Sequence, residues 1–277
     1  MSTSTRRSRP WWTGAVRERA GGDRARWATW AGVALLGLLV AGPSVDRADA
    51  KLPAKASGSG LSLIASYELS VSEPSDLALD GSGQSLWTVT DRPGRVHQLS
   101  LDGALIRTLK FVGEDLEGIA YDPSDHTLWV AEENLRAVIH LDLQGNVLSR
   151  HPLGLTGKKN SGIEGLCLDA KGHMFALNEK DPGLFLELDS KRDIAVRRKL
   201  AFARDYSAIA YDPKHDGFWI VSDQSQKLFQ CDRKAAVRRD YALPFPKPEG
   251  IAVNEAAKRA YMVSDSEHRL YVFRLED

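Results

Sequence analysis

The chain has 277 residues, 43% of them apolar and 27% charged, which is enough for a sizeable core and ordinary for a water-facing domain. Its zero net charge hides an asymmetry: residues 1–50 carry eight Arg against four acids, whereas residues 51–277 carry 29 Lys and Arg against 33 acids. The mildly acidic body argues against a nucleic-acid partner, which needs a concentrated basic face, and two cysteines outside any CxxC pair, Cys167 and Cys231, make neither a disulfide framework nor a zinc site.

In chain order, residues 6–26 hold seven arginines and are followed by an uncharged run from Trp27 to Val45. Positive charge stays on the cytoplasmic side, so the rest of the chain is expected to cross the membrane. As a helix, that run spans about 28 Å, near the lower limit for a bilayer core. Two readings remain open. Ala48-Asp49-Ala50 resembles a small-x-small cleavage site, which would release a protein beginning at Lys51. Alternatively, the segment stays as a single-span anchor in the inner membrane, with Trp27 and Trp30 at the headgroup level. Residues 1–45 are therefore read as a basic leader and apolar helix, and 46–60, small and Gly/Ser-rich, as a flexible linker.

From residue 61 the sequence repeats itself. Five segments align without gaps, beginning at Ser75, Glu117, Glu164, Ser207 and Glu249, with starts 42, 47, 43 and 42 residues apart. Each is followed by further apolar stretches rich in β-branched and aromatic residues, divided by Gly, Asp and Pro turns, and no stretch holds a helical period. Four strands per unit of this length is the pattern of a propeller blade. The fifth repeat lacks a fourth strand, and the stretch Leu63–Leu69 precedes the first repeat unassigned. Pairing that stretch into the last blade closes the ring, so the prediction is an all-β, five-bladed propeller over 61–277, its last blade completed by the N-terminal strand. Closure hides sheet edges that would otherwise invite aggregation.

In a propeller the first strand of each blade lines the axis and the second runs antiparallel to it. The start of the first and the end of the second therefore share a face. Two columns become a spatial prediction: Ser75, Glu117, Glu164, Ser207 and Glu249, and, fifteen or sixteen residues later, Asp91, Glu133, Glu179, Asp223 and Asp265. Eight of these ten are carboxylates, with Asp76 beside them. Two carboxylates roughly 5 Å apart repel by about 3 kcal/mol at an effective dielectric near 20. A raised pKa, a basic partner or a bound cation relieves this, and all-oxygen donors suit Ca²⁺. Glu117, Glu164, Glu133, Glu179 and Glu249 are the candidate metal ligands.

Plainer readings stand beside this one. Asp in the second column commonly caps a turn by accepting backbone N–H groups, and first-column acids can be water-bridged or paired with Arg. Trp87, Trp129 and Trp219 recur at one blade position and read as core between sheets. The seven His show no metal spacing, and the chain lacks a GxSxG elbow, a P-loop and an HExxH motif.

With the repeats in view, residues 116–134 (LEGIAYDPSDHTLWVAEEN), 163–183 (IEGLCLDAKGHMFALNEKDPG) and the PEGIAVN and YMVSDSEHRLYVF segments near the end resemble the SdiA-regulated (YjiK) family, with NHL-like repeats. The resemblance covers about residues 62–275. It implies a five-bladed propeller with bound Ca²⁺ and no established activity. Ser75 and Ser207 stand where that pattern favours Glu. The expectation is a monomeric, calcium-binding receptor or interaction module facing the periplasm, membrane-held through its N-terminal helix, with an unknown ligand or protein at the channel mouth. The alternative is a Ca²⁺-dependent lactonase or phosphoesterase with Glu179 or Asp223 as base.

Overall fold

The computed structural model describes residues 61–158 and 161–276, and among these every regular element is a β-strand. The helix expected within 1–45 and the linker expected over 46–60 lie outside the described residues.

Strand β1 (Leu61–Glu68) comes first. Blade 1 is β2 (Pro74–Leu79), β3 (Ser85–Thr90), β4 (Arg95–Ser100) and β5 (Leu105–Thr108); blade 2 is β6 (Leu116–Asp122), β7 (Thr127–Glu132), β8 (Ala137–Leu141) and β9 (Val147–Pro152). Blade 3 holds β10 (Ile163–Leu168), β11 (Met174–Asn178), β12 (Leu184–Leu188) and β13 (Ile194–Lys199). Blade 4 holds β14 (Ala208–Asp212), β15 (Gly217–Ser222), β16 (Lys227–Asp232) and β17 (Val237–Ala242). Blade 5 holds β18 (Pro248–Asn254), β19 (Arg259–Ser264) and β20 (Arg269–Leu275). Four blades are antiparallel sheets in sequence order, and the fifth is ordered β1-β20-β19-β18. Strand β1 runs against β20 from Leu61 opposite Leu275 to Glu68 opposite Arg269, so the N-terminal strand completes the last blade as the repeat count requires.

The core lies between blades. Strands β3, β7 and β15 are buried along their whole length because both of their faces meet a neighbouring sheet, which is why they read as continuous apolar runs. One cluster joins Trp219 and Val221 of blade 4 to Met262 and Phe273 of blade 5; another joins Trp87 and Val89 to Ile119 and Val130. Trp87, Trp129 and Trp219 are all buried, and Cys167 and Cys231 are buried free thiols. The outermost strands face water, and all four residues of β5 are exposed.

Two local devices shape the axis. In blades 1, 2, 3 and 5 the pairing of first and second strands slips by one residue, and the extra residue is the first-column one. Leu116 pairs with Glu132 and Gly118 with Ala131, leaving Glu117 unpaired between them; Ser75, Glu164 and Glu249 sit in the same bulge. A bulge re-aims a side chain out of the ladder. The glycine that follows is required by crowding: a Cβ on Gly118 would lie 2.8 Å from the Glu164 carbonyl oxygen, and one on Gly165 2.8 Å from the Ile209 nitrogen. In blade 1 this place belongs to Asp76, fully buried on the axis. Its carboxylate accepts the N–H groups of Leu77 at 2.8 Å and Ile119 at 3.1 Å, with Leu166 and Ile251 also donating. Burial pushes this carboxyl well above its ordinary value against those four amides. Asp76 is thus a hub that gathers blades rather than part of the acidic rim.

Candidate metal centre at the channel mouth

All ten residues of the two columns line one cavity of about 310 Å³. The bulges of blades 1, 2, 3 and 5 aim their first-column residues into it, Ser207 enters just ahead of the unbulged β14, and the ends of the second strands deliver the other column. Eleven carboxylates line this mouth against three basic side chains, Arg92, Lys180 and Lys247. Asp115 and Asp205, both 2% exposed, belong to it as well. They stand two residues before the first column, at an offset that reads Glu73, Asp115, Gly162, Asp205 and Lys247 through the five repeats. That offset forms a third column of the repeat, which carries both the added acids and the lysine. The residue just after the second column supplies Arg92, Lys180 and Gln224.

The acids do not form one ring. Two triads stand out: Asp91, Asp115 and Glu117, and Glu133, Glu164 and Glu179, each offering one carboxylate oxygen within 4.8 Å of the other two. In the first, Oδ1 of Asp91 and Oδ2 of Asp115 are buried without a hydrogen-bond donor. Arg92 approaches from the exposed side, at 3.4 Å from Oδ1 of both Asp91 and Asp115. In the second, Glu133 accepts the Gly162 N–H at 2.8 Å and Glu179 meets Lys180.

Glu249 is placed differently. Lys247 Nζ lies 3.3 Å from it and 3.8 Å from both Asp223 and Asp265, so one lysine serves three carboxylates there. Ser207 Oγ accepts the Asp223 N–H at 3.2 Å. Among the described residues, no second-column carboxylate accepts an N–H from its own turn, so the capping reading does not describe them. Capping falls instead to Asp80, Asp142, Asp169, Asp189 and Asp232, and to Asp205, which takes the Gln224 N–H at 3.1 Å.

Proton affinities follow the crowding. Burial, opposed by the Ser75 hydroxyl and reinforced by Asp91, Glu249 and Glu133, pushes Glu117 up to about 9. Burial and then the charges of Glu117 and Glu179 put Glu164 well above the usual carboxylate range. Asp91 rises to about 7 through burial and its contact with Asp115, and Glu249 to about 7 through burial that Lys247 only partly offsets. Burial raises Glu133 and Glu179 too.

Such a mouth either holds protons or takes a cation. The ligand atoms are all oxygen, two buried oxygens accept no hydrogen bond, and the triad spacing fits oxygens placed about 2.3–2.6 Å from a shared ion. The residues present therefore fit a hard divalent cation.

A sequence model of the SdiA-regulated family matches residues 67–274. Among solved structures, a Myxococcus xanthus glutaminyl cyclase superposes on 78% of this chain and 97% of its own, with a TM-score of 0.61 at 15% identity. A nidogen/laminin complex chain aligns over 69% of this chain and 72% of its own, at a TM-score of 0.50 and 18% identity. Virginiamycin B lyase from Staphylococcus aureus aligns over 76% and 69%, at 0.48 and 16%. At 15% and 18% identity, the first two likenesses speak for the propeller fold alone.

Proposed function

The chain belongs to the SdiA-regulated family, and we propose that its propeller is a calcium-loaded binding module that works outside the cytoplasm. Glu133, Glu164 and Glu179 would hold the ion, and Asp91, Asp115 and Glu117 form a second donor set beside it. A bound Ca²⁺ would neutralise part of the mouth and offer open coordination positions to an oxygen-bearing ligand or partner. The chain's own groups define what reaches it: Arg92, Lys180 and Lys247 stand at the opening as the positive contacts for an anionic approach. The reading is carried by one observation, the packing of eleven carboxylates around a 310 Å³ mouth with three basic side chains among them. Export rests on the arginine-rich leader and apolar run at 6–45. N-terminal sequencing of the mature protein decides between an anchor and cleavage after Ala50.

The test is thermal melting and isothermal titration of the full-length chain with Ca²⁺ and with chelator. A ligand present at 100 times its Kd adds about 2.7 kcal/mol of stability, which corresponds to a rise of about 5–10 °C in Tm for a domain of this size. Binding without turnover of lactone and phosphoester panels supports the module. Calcium-dependent turnover lost in Glu117→Gln would replace it with a hydrolase, and a melt that ignores both Ca²⁺ and chelator would remove the cation.

A further inference from the structure

Two residues before the first column, four blades handle charge in four ways. In blade 5 the position holds Lys247, itself a cation. In blade 3 it holds Gly162, whose N–H goes to Glu133 at 2.8 Å. In blade 4 it holds Asp205, 2% exposed, and the chain answers it: Ser222 Oγ and the Gln224 N–H both donate to its carboxylate. In blade 2 it holds Asp115, equally buried, and here the answer is missing.

The two aspartates differ through their neighbours. The residue that matches Ser222 in blade 2 is Glu132, so a carboxylate stands where blade 4 has a hydroxyl donor. Glu132 is itself taken up by the Glu114 N–H at 3.0 Å and by Arg150 at 3.2 Å. Asp115 keeps one side-chain donor, Arg92, at a long 3.4 Å from Oδ1, and its buried Oδ2 has none. Its other neighbours are acids: Asp91 and Glu117 within the same triad, and Glu133 of the second triad within hydrogen-bond reach. A buried charged acceptor without a donor is costly, so this carboxylate is set for a partner that the chain does not supply.

The charges indicate how many such partners there are. The six carboxylates of the two triads meet two basic side chains at their margins, Arg92 and Lys180. Two divalent ions supply the four charges that remain, and a single ion supplies half of them. Asp91, Asp115 and Glu117 each present an oxygen within 4.8 Å of the other two, the spread expected of oxygens about 2.3–2.6 Å from one Ca²⁺. Resting on the calcium reading of the mouth, we propose that the centre holds two Ca²⁺ ions: Glu133, Glu164 and Glu179 bind one, and Asp91, Asp115 and Glu117 bind the other. Asp115, in reach of both triads, stands between them. The second ion takes the part on this side that Lys247 plays in blade 5.

The experiment is equilibrium dialysis of the full-length chain against radiolabelled Ca²⁺, up to about 1 mM free ion. The wild type is expected to bind two ions saturably. Asp115→Asn should bind one, with the affinity of that ion within about tenfold of its wild-type value. Asp91→Asn should give the same loss and keeps the test decisive if Asp115→Asn does not fold. Asp265→Asn, which removes a carboxylate from the same mouth but outside both triads, should still bind two. A single ion in the wild type, two ions in Asp115→Asn or Asp91→Asn, or an equal loss in Asp265→Asn would each overturn the second site while leaving calcium binding in place. No bound ion at all would remove the calcium reading itself.

Discussion

The two sides of the channel mouth solve one electrostatic problem in different ways. On the side of blades 4 and 5, Lys247 stands within 3.8 Å of three carboxylates and supplies the counter-charge from within the chain. On the side of blades 1 to 3, six carboxylates form two triads, and Arg92 and Lys180 touch only their margins. Bulged first strands occur on both sides, in blades 1 to 3 and in blade 5, so the difference rests mainly on a few side chains. A half-mouth that carries its own cation shows what the other half lacks.

The largest effect is expected at the axis, where blade 3 meets blade 4. A Cβ at Gly165 would strike the backbone of Ala208 and Ile209 at 2.8–3.0 Å, so Gly165→Ala should cost about 3 kcal/mol. Denaturant melts should show that loss whether or not calcium is present. Lys247→Met comes next. It strips Glu249, Asp223 and Asp265 of their partner; because Lys247 is half-exposed, the cost is about 1–2 kcal/mol, less than for a fully buried pair. If the comparison holds, this variant also gains a calcium-dependent rise in Tm beyond that of the wild type.

A graded effect is expected from pH. Glu117 binds its proton more tightly folded, at about 9, than at its ordinary value of 4.5. Between those values the folded state holds a proton that the unfolded chain has released, so stability falls as pH rises. In chelator, Tm should decline from pH 5 to pH 9, and saturating Ca²⁺ should flatten that decline. The smallest effect separates the sides directly. Asp265→Asn should change calcium affinity by less than about threefold, whereas Glu164→Gln should weaken it by about tenfold or more.

The ring was legible because the blades share one alignment, and the unpaired strand near residue 63 completed the count. The mouth was legible for the same reason: antiparallel pairing fixes which strand ends share a face. The bulge was not, since a one-residue slip leaves no mark in a column of aligned residues, yet it is what turns Glu117 and Glu164 into the channel. Asp76 lies beside the rim as its sequence neighbours suggest, but its role as an axial hub is not legible from them. Its position is held by glycine in the second, third and fifth repeats and by Ala208 in the fourth, and only the crowding at the axis shows why that matters. Asp115 and Lys247 fall at a shared offset ahead of each first strand, outside the apolar pattern used to align the repeats. The sorting of the acids into paired and unpaired groups depended on them.

The most direct measurement is a density map from crystals of the chain grown in Ca²⁺. The expected result is a peak within about 2.6 Å of carboxylate oxygens of Glu133, Glu164 and Glu179, with none beside Lys247. A mouth without an ion at saturating calcium, or an ion seated among Asp223, Glu249 and Asp265, would contradict the account.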